Sequence, residues 1–124
     1  MGLKVGRYLI YGLIDPRNQC LCYLGKTHKR REWRLVEHIE LARNGDERPV
    51  YNWIRELQKL GLKPEIFVWK RIASNENWRE AEKEAIFFWR NKCPELPYFH
   101  PPQTPKSKKI IIQNVNLLNA TNGG

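Results

Sequence analysis

The sequence lacks most of the features that declare a function outright. No apolar run reaches membrane-spanning length and no signal-peptide pattern is present, so a soluble, intracellular, cytoplasmic protein with no membrane association is expected. Cysteine is scarce. Cys20, Cys22 and Cys93 are an odd number in a chain with no export signal, which suits free thiols in a reducing compartment. There is no P-loop, no Gly-rich dinucleotide fingerprint, no internal repeat, and no convincing Ser/His/Asp or Cys/His set. Cys20 and Cys22 with His28 and His38 fit no common zinc spacing, and strand alternation turns both cysteines away from Tyr23. Acidic residues are also short, 13 against 22 Lys plus Arg, leaving a net charge of +9. That excess favours a polyanionic partner, because neutralising phosphates releases counterions. It is densest from Lys26 to Arg34, KTHKRREWR, with five cations and one anion. At 124 residues, one domain spanning 1–124 is expected.

What is present begins with Tyr8 to Lys26, YLIYGLIDPRNQCLCYLGK. Two short β-runs flank Asp15-Pro16-Arg17-Asn18, where Pro presets φ and Asp and Asn bond their own backbone. Tyr8, Ile10 and Ile14 alternate with Leu9, Tyr11 and Leu13, and the second run is Leu21 to Gly25. A turn centred on Arg17 sets Tyr11 directly opposite Tyr23, their Cβ atoms roughly 5 Å apart. Gly12 and Gly25 keep the nearby backbone bare, and Lys26 follows at once. Tyrosine is also simply a good β-former, so packing and chemistry both stand open for this pair.

Arg30 to Arg43 suits a helix with Trp33, Val36, Ile39 and Ala42 inward and Arg34, His38 and Leu41 along the neighbouring face. Asn44-Gly45 ends it. Pro49 opens a second helix on which Val50, Trp53, Ile54, Leu57 and Leu60 follow amphipathic spacing. Lys63-Pro64 returns the chain to extended geometry, and Glu65 to Ile72 alternates as a third strand. Ser74 or Asn75 caps a third helix from about Asn77 to Asn91, its apolar positions being Trp78, Ala81, Ala85, Ile86, Phe88 and Trp89. Glu82 falls inside that stripe, whereas Glu80 and Glu84 point elsewhere. A carboxylate so placed is costly to desolvate without a cation or metal, unless it lies at the stripe's edge and reaches solvent or an arginine. A Pro-rich basic loop at about 93–109 precedes a short edge strand at Ile110 to Ile112.

Phosphodiester hydrolysis needs a cation on the scissile phosphate, a base near the attacking water, and positive charge for the developing phosphorane. Glu82, Tyr11, Tyr23, Lys26, Arg34 and His38 supply that inventory. In chain order, Leu9 to Gly12 (LIYG), Cys22 to Lys26 (CYLGK), Arg34-x-x-x-His38, the WREAEK segment around Glu82, and LLNATNGG with Asn119 resemble the motifs of the GIY-YIG endonucleases. The resemblance covers roughly Arg7 to Gly124.

It implies an α+β fold, a small three-stranded antiparallel sheet flanked by about three helices, and a metal-dependent DNA endonuclease. Tyr11 and Tyr23 become the paired tyrosines, Arg34 the helix arginine with His38 one turn on, and Glu82 the single ligand for Mg²⁺ or Mn²⁺. Asn119 becomes the C-terminal asparagine near the site, and Lys26 matches a lysine that many members carry. One tyrosine then helps deprotonate the attacking water, its pKa lowered by Lys26 and Arg34. Lys29, Arg30 and Arg31, with Lys26, are expected to bind phosphates. Two other functions fit the residues: a non-catalytic nucleic-acid-binding module, and a structure-selective repair or recombination nuclease acting with a partner. No zinc finger or helix-turn-helix is legible, so sequence choice calls for a separate DNA-recognition partner. Double-strand cleavage calls for a homodimer or two successive nicks.

Overall fold

Alternating apolar residues make Tyr8–Asp15 (β1) the strand on which the others assemble. It pairs antiparallel with Cys20–Thr27 (β2) on one side and Glu65–Ile72 (β3) on the other. Between them lie two helices, Arg31–Arg43 (α1) and Pro49–Lys59 (α2), and after β3 comes Trp78–Arg90 (α3). The computed structural model describes residues 8–73, 76–91, 98–100 (backbone only), 106 and 109–119. The remaining elements are short: Tyr98–His100 (β4), Ile110–Ile112 (β5) and Asn114–Val115 (β6).

The fold is α+β, as expected, but the main sheet has four strands in the order β3-β1-β2-β6 and is mixed rather than wholly antiparallel. The chain returns beside β2 in the same direction, pairing Cys20 with Asn114 and Leu21 with Val115. It keeps bonding past the strand, Asn116 N to Leu21 O at 3.0 Å and Leu118 N to Cys22 O at 2.7 Å. Of the expected loop at about 93–109, residues 98–100 form β4 and pair antiparallel with β5, so that part is strand; most of the rest, with Cys93, lies outside the described residues.

Each sheet face carries its own core. Ile10, Ile14, Leu21, Leu24 and Phe67 meet Ala81, Ala85, Ile86 and Trp89 of α3. Tyr11, Leu13, Cys20 and Cys22 meet Ala42 of α1 and Val50, Tyr51, Trp53, Ile54 and Leu57 of α2. Among the described residues, no helix is long and apolar enough to cross a membrane.

The hairpin register differs from the expected one. The loop holds Pro16 to Gln19, with Gln19 at φ 58° and its N–H donating to Asp15 O at 2.8 Å. Asp15 therefore faces Cys20, and a bulge between Leu13 and Ile14 sets Leu13 opposite Tyr23 and Tyr11 opposite Gly25. Tyr11 and Tyr23 are thus diagonal neighbours rather than a directly opposed pair. The extra residue is Cys22. A bulge puts consecutive residues on one side, so Cys20, Cys22 and Tyr23 all belong to the face toward α1 and α2, correcting the expectation that the cysteines point away. A second bulge, between Ile10 and Tyr11 against β3, lets Phe67 and Ile72 share the α3 face although they differ in parity.

The inward stripe of α1 is also corrected. Trp33 and Val36 are 65% and 54% exposed, while His38 and Ala42 are buried. The helix turns Arg34 and His38 toward the sheet because tyrosine hydroxyls wait there for them. On α2, Leu60 lies past the last helical residue and is exposed. Asn77 is the cap of α3, its side chain accepting from Arg79 N at 2.9 Å; Ser74 and Asn75 lie outside the described residues. Phe88 is exposed and stacks on Trp69 at 5.3 Å.

Candidate active site

The rotation of α1 builds a polar cluster inside an apolar core. The Tyr11 hydroxyl lies 2.6 Å from His38 Nε2, and His38 Nδ1 lies 3.0 Å from the Tyr51 hydroxyl. Arg34 Nε donates to the Tyr11 oxygen at 3.1 Å. Glu37, one turn along α1, holds Arg34 Nη1 at 3.4 Å and Lys29 Nζ at 2.6 Å. Tyr23 packs over this group, its ring centroid 6.2 Å from Tyr11 and 5.4 Å from His38. We assign the protons from bond lengths. An N–H···O bond centres near 2.9–3.0 Å, which suits His38 Nδ1–H donating to Tyr51, whereas the shorter contact suits Tyr11 O–H donating to Nε2.

Burial decides the charge states. It pushes the Tyr11 phenol well up, aided by Tyr23, and Arg34 only partly opposes it. Tyr23 is raised too, chiefly by burial. This overturns the expectation that Lys26 and Arg34 would lower a phenol's pKa: Arg34 acts on both phenols, but the loss of water outweighs it, and Lys26 sits over Trp78 and Tyr8 instead. Burial, then the charge of Arg34, pushes His38 down to about 3, so at neutral pH it is an uncharged imidazole able to accept a proton.

Lys26 and Glu82 lie toward α3. The Lys26 ammonium sits 4.0 Å over the Trp78 ring and 5.1 Å over that of Tyr8. Glu82 is partly buried while Glu84 is exposed. Burial raises the Glu82 carboxyl against the pull of Lys26. Among the described residues Glu82 has no hydrogen bond or ion pair. Tyr23 feels charges from both regions: beyond its burial and Tyr51, Arg34 and Arg48 lower its pKa and Glu82 raises it. Asn119 bonds backbone rather than facing a side chain: Leu24 N donates to its Oδ1 at 3.1 Å, and its Nδ2 donates to Leu24 O at 2.6 Å. It therefore fixes β2 one residue past Tyr23.

The basic run is less free than its charge suggests. Lys29 is paired with Glu37 and Arg31 with Glu32, while Arg30 is exposed and makes no ion pair among the described residues. Among those residues no group of three or more His, Cys, Asp or Glu could hold a metal. Both nitrogens of His38 are taken by tyrosines, and His28 is exposed, edge-on to Tyr8. Among the described residues Glu82, a partly desolvated carboxylate that makes no hydrogen bond or ion pair there, is the group that could hold a hard ion that keeps water in its shell.

Sequence reasoning missed Tyr51, Glu37 and Arg48. Tyr51 stands three residues before Ile54 on the buried flank of α2, a spacing that was readable. Glu37 at i+3 from Arg34 was equally readable. Arg48, three residues before Tyr51, lies 4.9 Å from its ring and pairs with Asp46 at 2.7 Å, local contacts that the spacing also offered. Compared with known proteins, the chain matches no family model, no curated protein and no solved structure.

Proposed function

We propose that this chain is a metal-dependent endonuclease of GIY-YIG type that hydrolyses phosphodiester bonds in DNA. The observation that carries the reading is the shared Tyr11 oxygen, bonded at once to His38 Nε2 and Arg34 Nε. A phenol that holds its proton at rest is a poor base alone. Coupled to a neutral imidazole, it can take a proton from an attacking water while passing its own to Nε2. Arg34 steadies the negative charge on that oxygen during the transfer. The resulting imidazolium keeps its Nδ1–H on Tyr51. Tyr23, over both rings, lies where it can orient the water or the phosphate. Lys26, held over Trp78, adds positive charge beside Glu82. Glu82 would hold Mg²⁺ or Mn²⁺, which when bound polarises the phosphate and stabilises the leaving oxygen.

The test is incubation of the purified chain with supercoiled plasmid and with branched DNA, in Mg²⁺ or in EDTA. Nicking in Mg²⁺ only, lost in Tyr11→Phe and Glu82→Gln with DNA affinity kept, is the expected result. Full activity of Glu82→Ala would remove the metal assignment. Binding without cleavage would leave a nucleic-acid-binding module, and cleavage confined to branched DNA a structure-selective nuclease.

A further inference from the structure

The outer face of α1 carries an observation that the proposed chemistry does not use. Trp33 and Val36 are 65% and 54% exposed, side by side at i and i+3. A large apolar pair turned to water on a short helix calls for a partner. Arg30 stands one turn before Trp33, exposed and without an ion pair among the described residues. His28 and Lys29, also exposed, precede it. An indole with Arg30 one turn before it, beside the Lys29–Glu37 and Arg31–Glu32 ion pairs and on a chain of net charge +9, is complementary to a flat ring attached to a polyanion. An apolar protein groove would meet those cations unfavourably.

The site lies next door. Arg34 follows Trp33 directly, their Cα atoms about 3.8 Å apart, and turns inward to Tyr11 while Trp33 turns outward. A base in a continuous duplex is stacked on both sides and offers no free ring. A base lifted from its stack does.

We propose that Trp33, bordered by Arg30 and Val36, is a stacking platform for an unpaired nucleobase, so that the chain engages nucleic acid at a nucleotide displaced from its stack. This rests on the DNA-directed reading above, and it names the substrate feature that reading leaves open. Arg30 supplies charge to the adjoining phosphate; Trp33 supplies the discrimination.

The test is fluorescence anisotropy in EDTA, where cleavage cannot interfere. The two ligands are a fully paired labelled duplex and the same duplex with a single unpaired nucleotide. The wild-type chain is expected to prefer the unpaired ligand. Trp33→Ala should weaken that binding by roughly tenfold, leave duplex affinity unchanged, and leave thermal unfolding unchanged because the side chain is exposed. Trp33→Phe, which keeps a ring, should retain most of the preference. Arg30→Ala should weaken both ligands alike and flatten the salt dependence by about one counterion. No change in Trp33→Ala, or an equal loss on both ligands, overturns the platform while the nuclease reading stands. If the wild-type chain binds neither ligand, the nuclease reading fails, and the platform with it.

Discussion

The Tyr11 hydroxyl and the His38 imidazole stand 2.6 Å apart with both residues fully buried, so each is the other's replacement for water. Replacing His38 by Phe keeps the ring's bulk but takes a partner from two hydroxyls: Tyr11 keeps only the bond from Arg34 Nε, its O–H left without an acceptor, and Tyr51 loses its bond to Nδ1. An unsatisfied buried polar group costs about 1–3 kcal/mol. The variant should therefore lose on the order of 3 kcal/mol in denaturant unfolding. If Nε2 also receives the proton of Tyr11, plasmid nicking should fall by about 10²–10⁴-fold at a temperature where the variant stays folded. Tyr51→Phe leaves the Tyr11 bond intact and should cost far less activity. Equal losses in the two variants would reduce His38 to scaffold.

The same burial makes stability depend on pH. His38 has a folded pKa of about 3 against an ordinary 6.5, so between those values the unfolded chain binds the extra proton. Its contribution is fully present above about pH 6.5 and is lost as pH falls toward 3, on the order of 5 kcal/mol at most. Asp15 acts in the same direction over a lower window. Burial would raise its carboxyl, but hydrogen bonds from Arg17 and Trp53 hold it near 2 against an ordinary 3.8. Melting temperatures taken across this range should decline in two stages. In His38→Phe the upper stage should vanish and the lower one persist; an unchanged upper stage would mean that another group titrates there.

Gly25 has no freedom to become anything larger. A Cβ there would lie 2.7 Å from the Tyr11 hydroxyl and 2.8 Å from Tyr23 Cε2. Both rings are held against the sheet, and Tyr11 is bonded in place, so neither can give way cheaply. Gly25→Ala should cost about 1–3 kcal/mol and push the Tyr11 oxygen off His38. The measurement is the thermal unfolding of Gly25→Ala alone and combined with Tyr11→Phe. If the clash works through the hydroxyl, the second substitution should recover part of the loss.

These relationships were only partly legible in the sequence. The two faces of β1 were readable because alternation alone sets them. The register was not, since the bulge at Cys22 depends on a loop whose last residue is left-handed, and on pairing that no local pattern encodes. On α1, hydrophobicity favoured Trp33 and Val36, yet Arg34 and His38 turn inward because hydroxyls from β1 and α2 satisfy them. A periodicity count cannot see partners on other elements. The preference for Glu82 over Glu84 was readable from helical phase, and their burial differs accordingly. The direction of the phenol shifts was misjudged because a sequence shows neighbouring charges but not the loss of water.

Asn119 acts on the backbone, with both ends of its amide engaged by Leu24. Its oxygen accepts from Leu24 N and its nitrogen donates to Leu24 O, spanning 95 positions of chain to hold β2 between Tyr23 and Gly25. Asn119→Asp keeps the first bond but sets a carboxylate against the Leu24 carbonyl. Asn119→Ala loses both and strands a buried N–H and C=O. The aspartate variant should thus lose stability chiefly above its carboxyl's titration range and recover as that group is protonated, while alanine should lose about 2–3 kcal/mol at every pH. Hydrogen exchange at the Leu24 amide separates the cases: it should speed up in Asn119→Ala and stay slow in Asn119→Asp. Fast exchange already in the unsubstituted chain would show that the clamp does not hold β2.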